Sequence, residues 1–186
     1  MDSSSFGPSA EDLVRWIEMS GESEFVDSKG PMQWDGSDAS ASLAKDIAAF
    51  ANSRDGGILV IGKTEKGDGK FEFVGVSPQQ ASSFDTTVVG QWINSRFSPP
   101  IHFVCYLAEY QSMTFVVIVV QEFDDIPSIC TKSFQALTDP KKHHIREGAI
   151  YIRNQNAESK PLMNSNELRS LLTLPESMYC EKCGFA

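Results

Sequence analysis

Lys141, Lys142, His143, His144 and Arg146 crowd a single stretch of the chain, with Lys132 shortly before it and Arg153 shortly after. Side chains of this kind neutralise phosphates, and a patch of them can track a nucleic-acid backbone. Tyr151, two residues before Arg153, can stack on a base or fill a sheet core. The plain alternative for the whole run is a solvated loop, the usual place of clustered charge.

Two other motifs invite chemistry. Cys180-x-x-Cys183-Gly184 is half of a zinc site. His143 and His144 can supply the missing ligands, as can the same cysteine pair of a second copy; the other reading is a pair of reduced thiols on a frayed end. Residues 57–64 read GILVIGKT, which satisfies the P-loop pattern letter by letter. A P-loop is a flexible, glycine-rich turn whose N–H groups face phosphate and which opens a helix. Ile58, Leu59, Val60 and Ile61 belong inside a strand instead, and a glycine-rich turn follows Thr64. ATP is therefore not expected as a cofactor. His102 lies on an extended segment and suits packing better than catalysis.

The frame that must position these groups is one domain. The chain has 186 residues, 41% of them hydrophobic and 22% charged, an ordinary globular composition long enough to bury a core. Its net charge of −9 rules out nucleic-acid binding through a global field and requires a local basic patch or a metal ion. The start, MDSSSFGPSAEDLVRW, has no basic region leading into an apolar one, and the longest apolar run, Phe115 to Val120, is too short to span a bilayer. A soluble, cytoplasmic protein without membrane partners is expected. Cys105 and Cys130 fall in strands, where a thiol acts as a small hydrophobe, so no disulfide framework is expected.

Residues 1–9 are Ser-rich with Gly and Pro and read as a disordered lead-in, residues 10–174 as the domain, and 175–186 as a tail carrying the CxxC. A helix starts near Ala10, with Leu13, Trp16 and Ile17 on one face. An extended segment covers 23–29. A helix over 40–53 places Leu43, Ile47, Phe50 and Ala51 in one stripe, turns Lys45 and Asp46 outward, and is capped by Asp38 or Ser40. Gly56 and Gly57 end it, and 58–61 is a buried strand. A strand over 71–76 is followed by a helix over 79–97, with Phe84, Val88 and Trp92 inward, stopped by Pro99 and Pro100. Strands follow at 101–107, 115–120, 128–133 and 149–153. A last helix over 164–172 turns Leu168, Leu171 and Leu172 inward. The pattern predicts an α+β single domain with a central mixed, largely antiparallel sheet flanked by helices. Strands 101–107 and 115–120 are too close in sequence for a crossover helix.

Three blocks carry a resemblance: ESEFVDSK at 22–29, LAKDIAAFANSRDGGILVIG at 43–62 and FVGV at 73–76. FVVIVVQEF with IPSIC, and REGAIYIRNQN with NSNELRSLL, extend it to about residues 12–172. Together they resemble the Schlafen AlbA-like domain. Many of these residues would serve as core in any fold; Asn52 is the exception, since an Asn at a helix end caps locally or holds a neighbouring loop. The resemblance implies a nucleic-acid-binding domain, for RNA or single strands rather than duplex DNA. It further implies a metal-dependent endoribonuclease whose Mg or Mn ion is held by three carboxylates, at positions Glu22, Asp27 and Glu65 here, with Lys29 on a phosphate nearby. Hard divalent ions want such oxygens, and phosphodiester cleavage uses the ion to polarise phosphate and activate water. Asp27 stands where the family has Glu, and Thr64 and Glu65 replace a usual pair of aspartates. Members carry two such lobes, which points to a homodimer here. The competing reading is a regulatory or assembly domain acting through protein contacts, which the acidic charge favours.

Overall fold

The computed structural model describes residues 7–19, 25–66, 70–137, 143–154 and 156–172. In chain order its elements are α1 (Ala10–Glu18), β1 (Val26–Lys29), α2 (Asp38–Ala51), β2 (Gly57–Ile61), β3 (Lys63–Glu65), β4 (Phe71–Phe73), α3 (Pro78–Ser83), α4 (Thr86–Asn94) and β5 (Phe97–Ser98). There follow β6 (Phe103–Tyr110), β7 (Met113–Val120), β8 (Ile129–Cys130), β9 (Phe134–Gln135), β10 (His143–Ile145), β11 (Tyr151–Arg153), β12 (Ser159–Pro161) and α5 (Ser165–Leu172).

The central sheet runs β1-β2-β7-β6. β1 lies parallel to β2, and the β2–β7 and β6–β7 pairs are antiparallel, so the sheet is mixed and largely antiparallel, as the sequence predicts. Both faces of β7 are covered, which is why its sequence is a nearly unbroken apolar run. Phe115 and Val117 pack with Leu13 and Ile17 of α1 on one face, while Val116, Ile118 and Val120 meet the α2 layer on the other. Ser9 starts α1 through a reciprocal capping box with Asp12.

α2 departs from the single-stripe expectation. It is buried nearly all round, with Ala41, Leu43, Ala44, Ile47, Ala48, Ala49, Phe50 and Ala51 in the core. The sheet covers one side; the small ladders β9–β10 and β11–β12 cover the other, through Ile145 and Tyr151. Asp46 therefore does not face solvent: it is 5% exposed. The helix begins after Ser37, and neither Asp38 nor Ser40 caps it. Asp38 accepts from the Leu137 N–H, and Ser40 from the N–H groups of Asp35 and Gly36. The Gly-Gly stop is steric as well as conformational. Gly56 has φ +67°, and a Cβ on Gly57 would sit 1.8 Å from the Phe50 ring.

The helix expected over 79–97 is two helices. Asp85 breaks it by accepting the N–H groups of Thr87 and Val88 and starting α4 afresh. The restart rotates the face: Val89 and Ile93 are buried, Val88 is 54% exposed, and Trp92 is half-buried. The strand predicted at 128–133 shrinks to β8, and that at 149–153 to β11. In α5, Leu168 and Leu171 are half-buried and Leu172 is exposed. Among the described residues no helix is long and apolar enough to cross a membrane.

Candidate functional site

β1 brings charge into the interior. Side chains two apart share a strand face, so Asp27 and Lys29 both point at α2. There the Lys29 ammonium lies 2.8 Å from Asp27 Oδ2 and 3.1 Å from Asp46 Oδ2. Arg153 of β11 approaches the same Asp27 oxygen from the other side at 3.3 Å, with its guanidinium 4.3 Å from the centre of the Phe50 ring. The result is a charge-balanced group of two acids and two bases joining three elements. Asp27 and Arg153 are almost fully enclosed, while the Lys29 side chain keeps 34% of its surface. Burial pushes the Lys29 ammonium down, but the Asp46 and Asp27 carboxylates outweigh it and hold the group above its ordinary range. Asp27 Oδ1 is buried without a hydrogen-bond partner.

The sequence-predicted residues divide as follows. Asp27, Lys29 and Arg153, expected in two separate sites, meet in this one cluster. Arg153 is interior and does not join the surface of the basic stretch. Glu65 ends β3 and is exposed; Gly62 N–H donates to Lys29 C=O at 2.9 Å, so the link into β3 lies beside the end of β1. Glu22 lies outside the described residues, as do Lys141, Lys142, Cys180 and Cys183 and the side chain of His143. Among the described residues no group of three His, Cys, Asp or Glu side chains is placed to hold a metal. Asp27 offers one uncommitted oxygen, and its other is taken by two cations. The described residues alone therefore do not compose a three-carboxylate centre.

The basic stretch is a hairpin. β9 pairs with β10, and the connection between them carries Lys141 and Lys142. Its two flanks are stitched together: Glu147 N–H donates to Ser133 Oγ at 2.9 Å and Gly148 N–H to Cys130 C=O at 2.8 Å. Lys132 and Arg146, one on each flank, are exposed. The hairpin docks on the start of α2, where Asp38 accepts from Leu137 N–H at 2.8 Å and lies 3.7 Å from His144 Nε2. Asp46 sits two turns further along the same helix, about 12 Å by the helical rise.

Asn52 is a clip. Its amide donates to the carbonyls of Ser128 and Tyr151, and its Oδ1 accepts from Ser128 N–H, so the last residue of AFAN ties α2 to β11 and to the approach of β8. Tyr151 is core: its hydroxyl accepts from Arg146 N–H, and its ring packs on Phe97. Lys63, the Lys of GILVIGKT, is buried, donates to the carbonyls of Ile17 and Met19 at the end of α1, and lies 4.5 Å from the Phe71 ring centre. The residues before it form β2, so this segment is a strand and not a phosphate loop. Cys105 is inert: burial pushes its thiol up to about 12. A groove of about 840 Å³ at the far end of α2 is lined in part by Arg54, Arg153 and Lys160 and by four acids, Glu122, Asp124, Asp125 and Glu167, which oppose phosphate.

An α+β domain with an AFAN helix buried beneath its central sheet, an internal charge cluster and a basic hairpin defines the class. The chain belongs to the Schlafen, AlbA_2 family, whose profile matches residues 22–163. Among solved structures, the crystal structure of the DIP2311 protein from Corynebacterium diphtheriae is similar, with a TM-score of 0.52 and 16% identity over 89% of this chain. The match spans 28% of that protein's length, and at this identity it shows the fold alone. The solution structure of the N-terminal domain of a RecG-related protein, in the ATP-dependent DNA helicase class, from Nitrosomonas europaea matches with a TM-score of 0.42 and 24% identity, covering 63% of this chain and 76% of that one. A search of curated proteins found no match.

Proposed function

We propose that this domain binds nucleic acid, RNA or single strands in preference to duplex DNA, through the β9–β10 hairpin. The observation that carries this reading is local charge against a contrary background. Residues 131–148 hold Lys132, Lys141, Lys142 and Arg146 against Asp139 and Glu147, in a chain of net charge −9. Flanks tied together by hydrogen bonds present Lys132 and Arg146 to solvent on a fixed base. Phosphate contacts of this kind supply affinity and position, not sequence choice. Lys29, open to solvent on one side, is a second contact reachable along α2.

A second reading adds cleavage. Asp27 Oδ1, buried and without a partner, is the observation in its favour, because an orphaned carboxylate oxygen is costly unless something binds it. Glu22 and Glu65 would complete a Mg or Mn site with Asp27, and the ion would polarise the phosphate. The C-terminal Cys180 and Cys183 remain a zinc proposal on the same footing as in the sequence. The alternative function is a regulatory assembly domain.

One experiment separates these. The purified chain is incubated with labelled tRNA, single-stranded RNA and duplex DNA, with and without Mn²⁺ or Mg²⁺, beside a Glu22→Gln/Glu65→Gln variant. Retarded but intact RNA supports binding alone. Metal-dependent cutting that the double variant loses establishes the nuclease. Free, intact substrate in every lane leaves the assembly reading.

A further inference from the structure

β6 is an edge strand of the central sheet, eight residues long, and its register with β7 is continuous from Phe103↔Val120 to Tyr110↔Met113. It contains no Lys, Arg or Pro, and no bulge interrupts it. Those are among the devices by which edge strands are kept from pairing, and the one charge on the strand, Glu109, stands next to the turn. Leu107 is 57% exposed and Val104 39%.

The direction of its backbone groups follows from bonds made elsewhere. Gln121 N–H donates to His102 C=O, so even-numbered residues of this strand point their polar groups at β7. Thr114 C=O, opposite Glu109, is taken by Val76 N–H on the far side of β7, and Cys105 N–H donates outward to Thr86 Oγ1 at 3.0 Å. Cys105, Leu107 and Glu109 therefore direct N–H and C=O away from the sheet. Thr86 occupies the edge at Cys105. Between Thr86 and the turn, the outward N–H and C=O groups of Leu107 and Glu109 have no partner among the described residues.

We infer that β6 pairs with β6 of a second copy of this chain, antiparallel about a two-fold axis at Ala108. In that register Leu107 faces Glu109 of the partner and Glu109 faces Leu107, so each uncovered N–H meets an uncovered C=O. The axis falls on a non-hydrogen-bonded pair, where Cα atoms approach most closely, and the residue there is alanine. A register one step toward the turn would set Glu109 against Glu109, and one step the other way would run the partner into Thr86. The two sheets would join into one of eight strands. The sequence resemblance also points to a homodimer; the edge is a separate and physical reason for one.

Sedimentation velocity across chain concentrations tests this, with Leu107→Pro and Leu107→Glu beside the wild type. The Leu107 N–H faces outward, so proline there removes a donor from the edge and none from the β6–β7 ladder. The wild type is expected to dimerise with concentration. Each variant should raise the dissociation constant at least about tenfold, the proline by removing two symmetry-related backbone donors and the glutamate by setting like charges opposite each other twice, with a melting curve that still shows cooperative unfolding. A wild type that stays monomeric to millimolar concentration, or a dimer that both variants leave intact, overturns the proposal. So does a monomer that dimerises only after residues 1–6 are removed, which would assign the edge to the chain's own N-terminal segment.

Discussion

The charge cluster and the basic hairpin use the same residue types to opposite ends. Asp27, Lys29, Asp46 and Arg153 balance one another in the interior, with Asp27 and Arg153 nearly closed to water. Lys132 and Arg146 stand exposed on the hairpin flanks. Position relative to α2 makes the difference. A charge beside the middle of that helix is enclosed by the sheet on one side and β11 on the other, and must be paired to be tolerated. A charge on the hairpin that docks at its start keeps its hydration and remains free to exchange water for a phosphate. The cluster should therefore govern stability, and the hairpin binding.

The largest effect should come from breaking the cluster. Arg153→Ala leaves Asp27 short of a buried partner and should cost about 3–5 kcal/mol in urea unfolding, the range for a buried pair with one member removed. A loss below about 1 kcal/mol, the value of a surface pair, would erase the distinction between the two regions. Asn52→Ala removes three hydrogen bonds at the clip that holds β11 against α2. It should cost about 2–3 kcal/mol, from buried groups left unsatisfied. Lys132→Glu/Arg146→Glu sharpens the contrast from the other side. Stability should stay within about 0.5 kcal/mol, while affinity for single-stranded RNA falls at least about tenfold and the salt dependence becomes shallower.

The smallest effect is in alkali. Lys29 has a folded-state pKa above its unfolded value, so its contribution to stability is complete below the ordinary lysine range, about 10.4, and is lost as pH rises through the raised value. Lys63 works the other way: burial lowers its value, and stability rises with pH between the folded and unfolded values. The clean comparison is Lys29→Met against wild type, with Lys63 common to both. The wild type should lose more stability above that range than the variant, read by thermal melts in a pH series. Equal losses would detach Lys29 from its two carboxylates.

Sequence reasoning reached the sheet and its strands because β7 and β2 advertise themselves as short, β-branched runs between turns. It read the Gly-Gly stop correctly for the same local reason. Asp46 reads as outward because helical periodicity carries no trace of Lys29, which reaches it from β1, nor of the layer that covers α2 from residues about a hundred positions later. Over residues 79–97 the spacing of four in Phe84, Val88 and Trp92 reads as one continuous helix. The signals were present in Ser77-Pro78-Gln79-Gln80, a capping box with proline in the first turn, and in Asp85, placed to start a second helix. The cluster itself is half legible: Asp27, Lys29 and Arg153 each stand out in the sequence, but the meeting of Asp27 with Arg153 spans 126 positions. The hairpin was legible as a charge run, and only the ladder shows which residues form its base.

Binding through the hairpin is tested most directly by a salt series of fluorescence-anisotropy titrations. Labelled single-stranded RNA is titrated with the wild type, with Lys132→Glu/Arg146→Glu, and with Lys29→Met as a probe of the second contact. Binding should weaken steeply as salt rises, with a loss of at least about tenfold in the hairpin variant and a slope shallower by about one for each phosphate contact removed. Binding that the hairpin variant keeps unchanged, or no binding by the wild type at low salt, would contradict it.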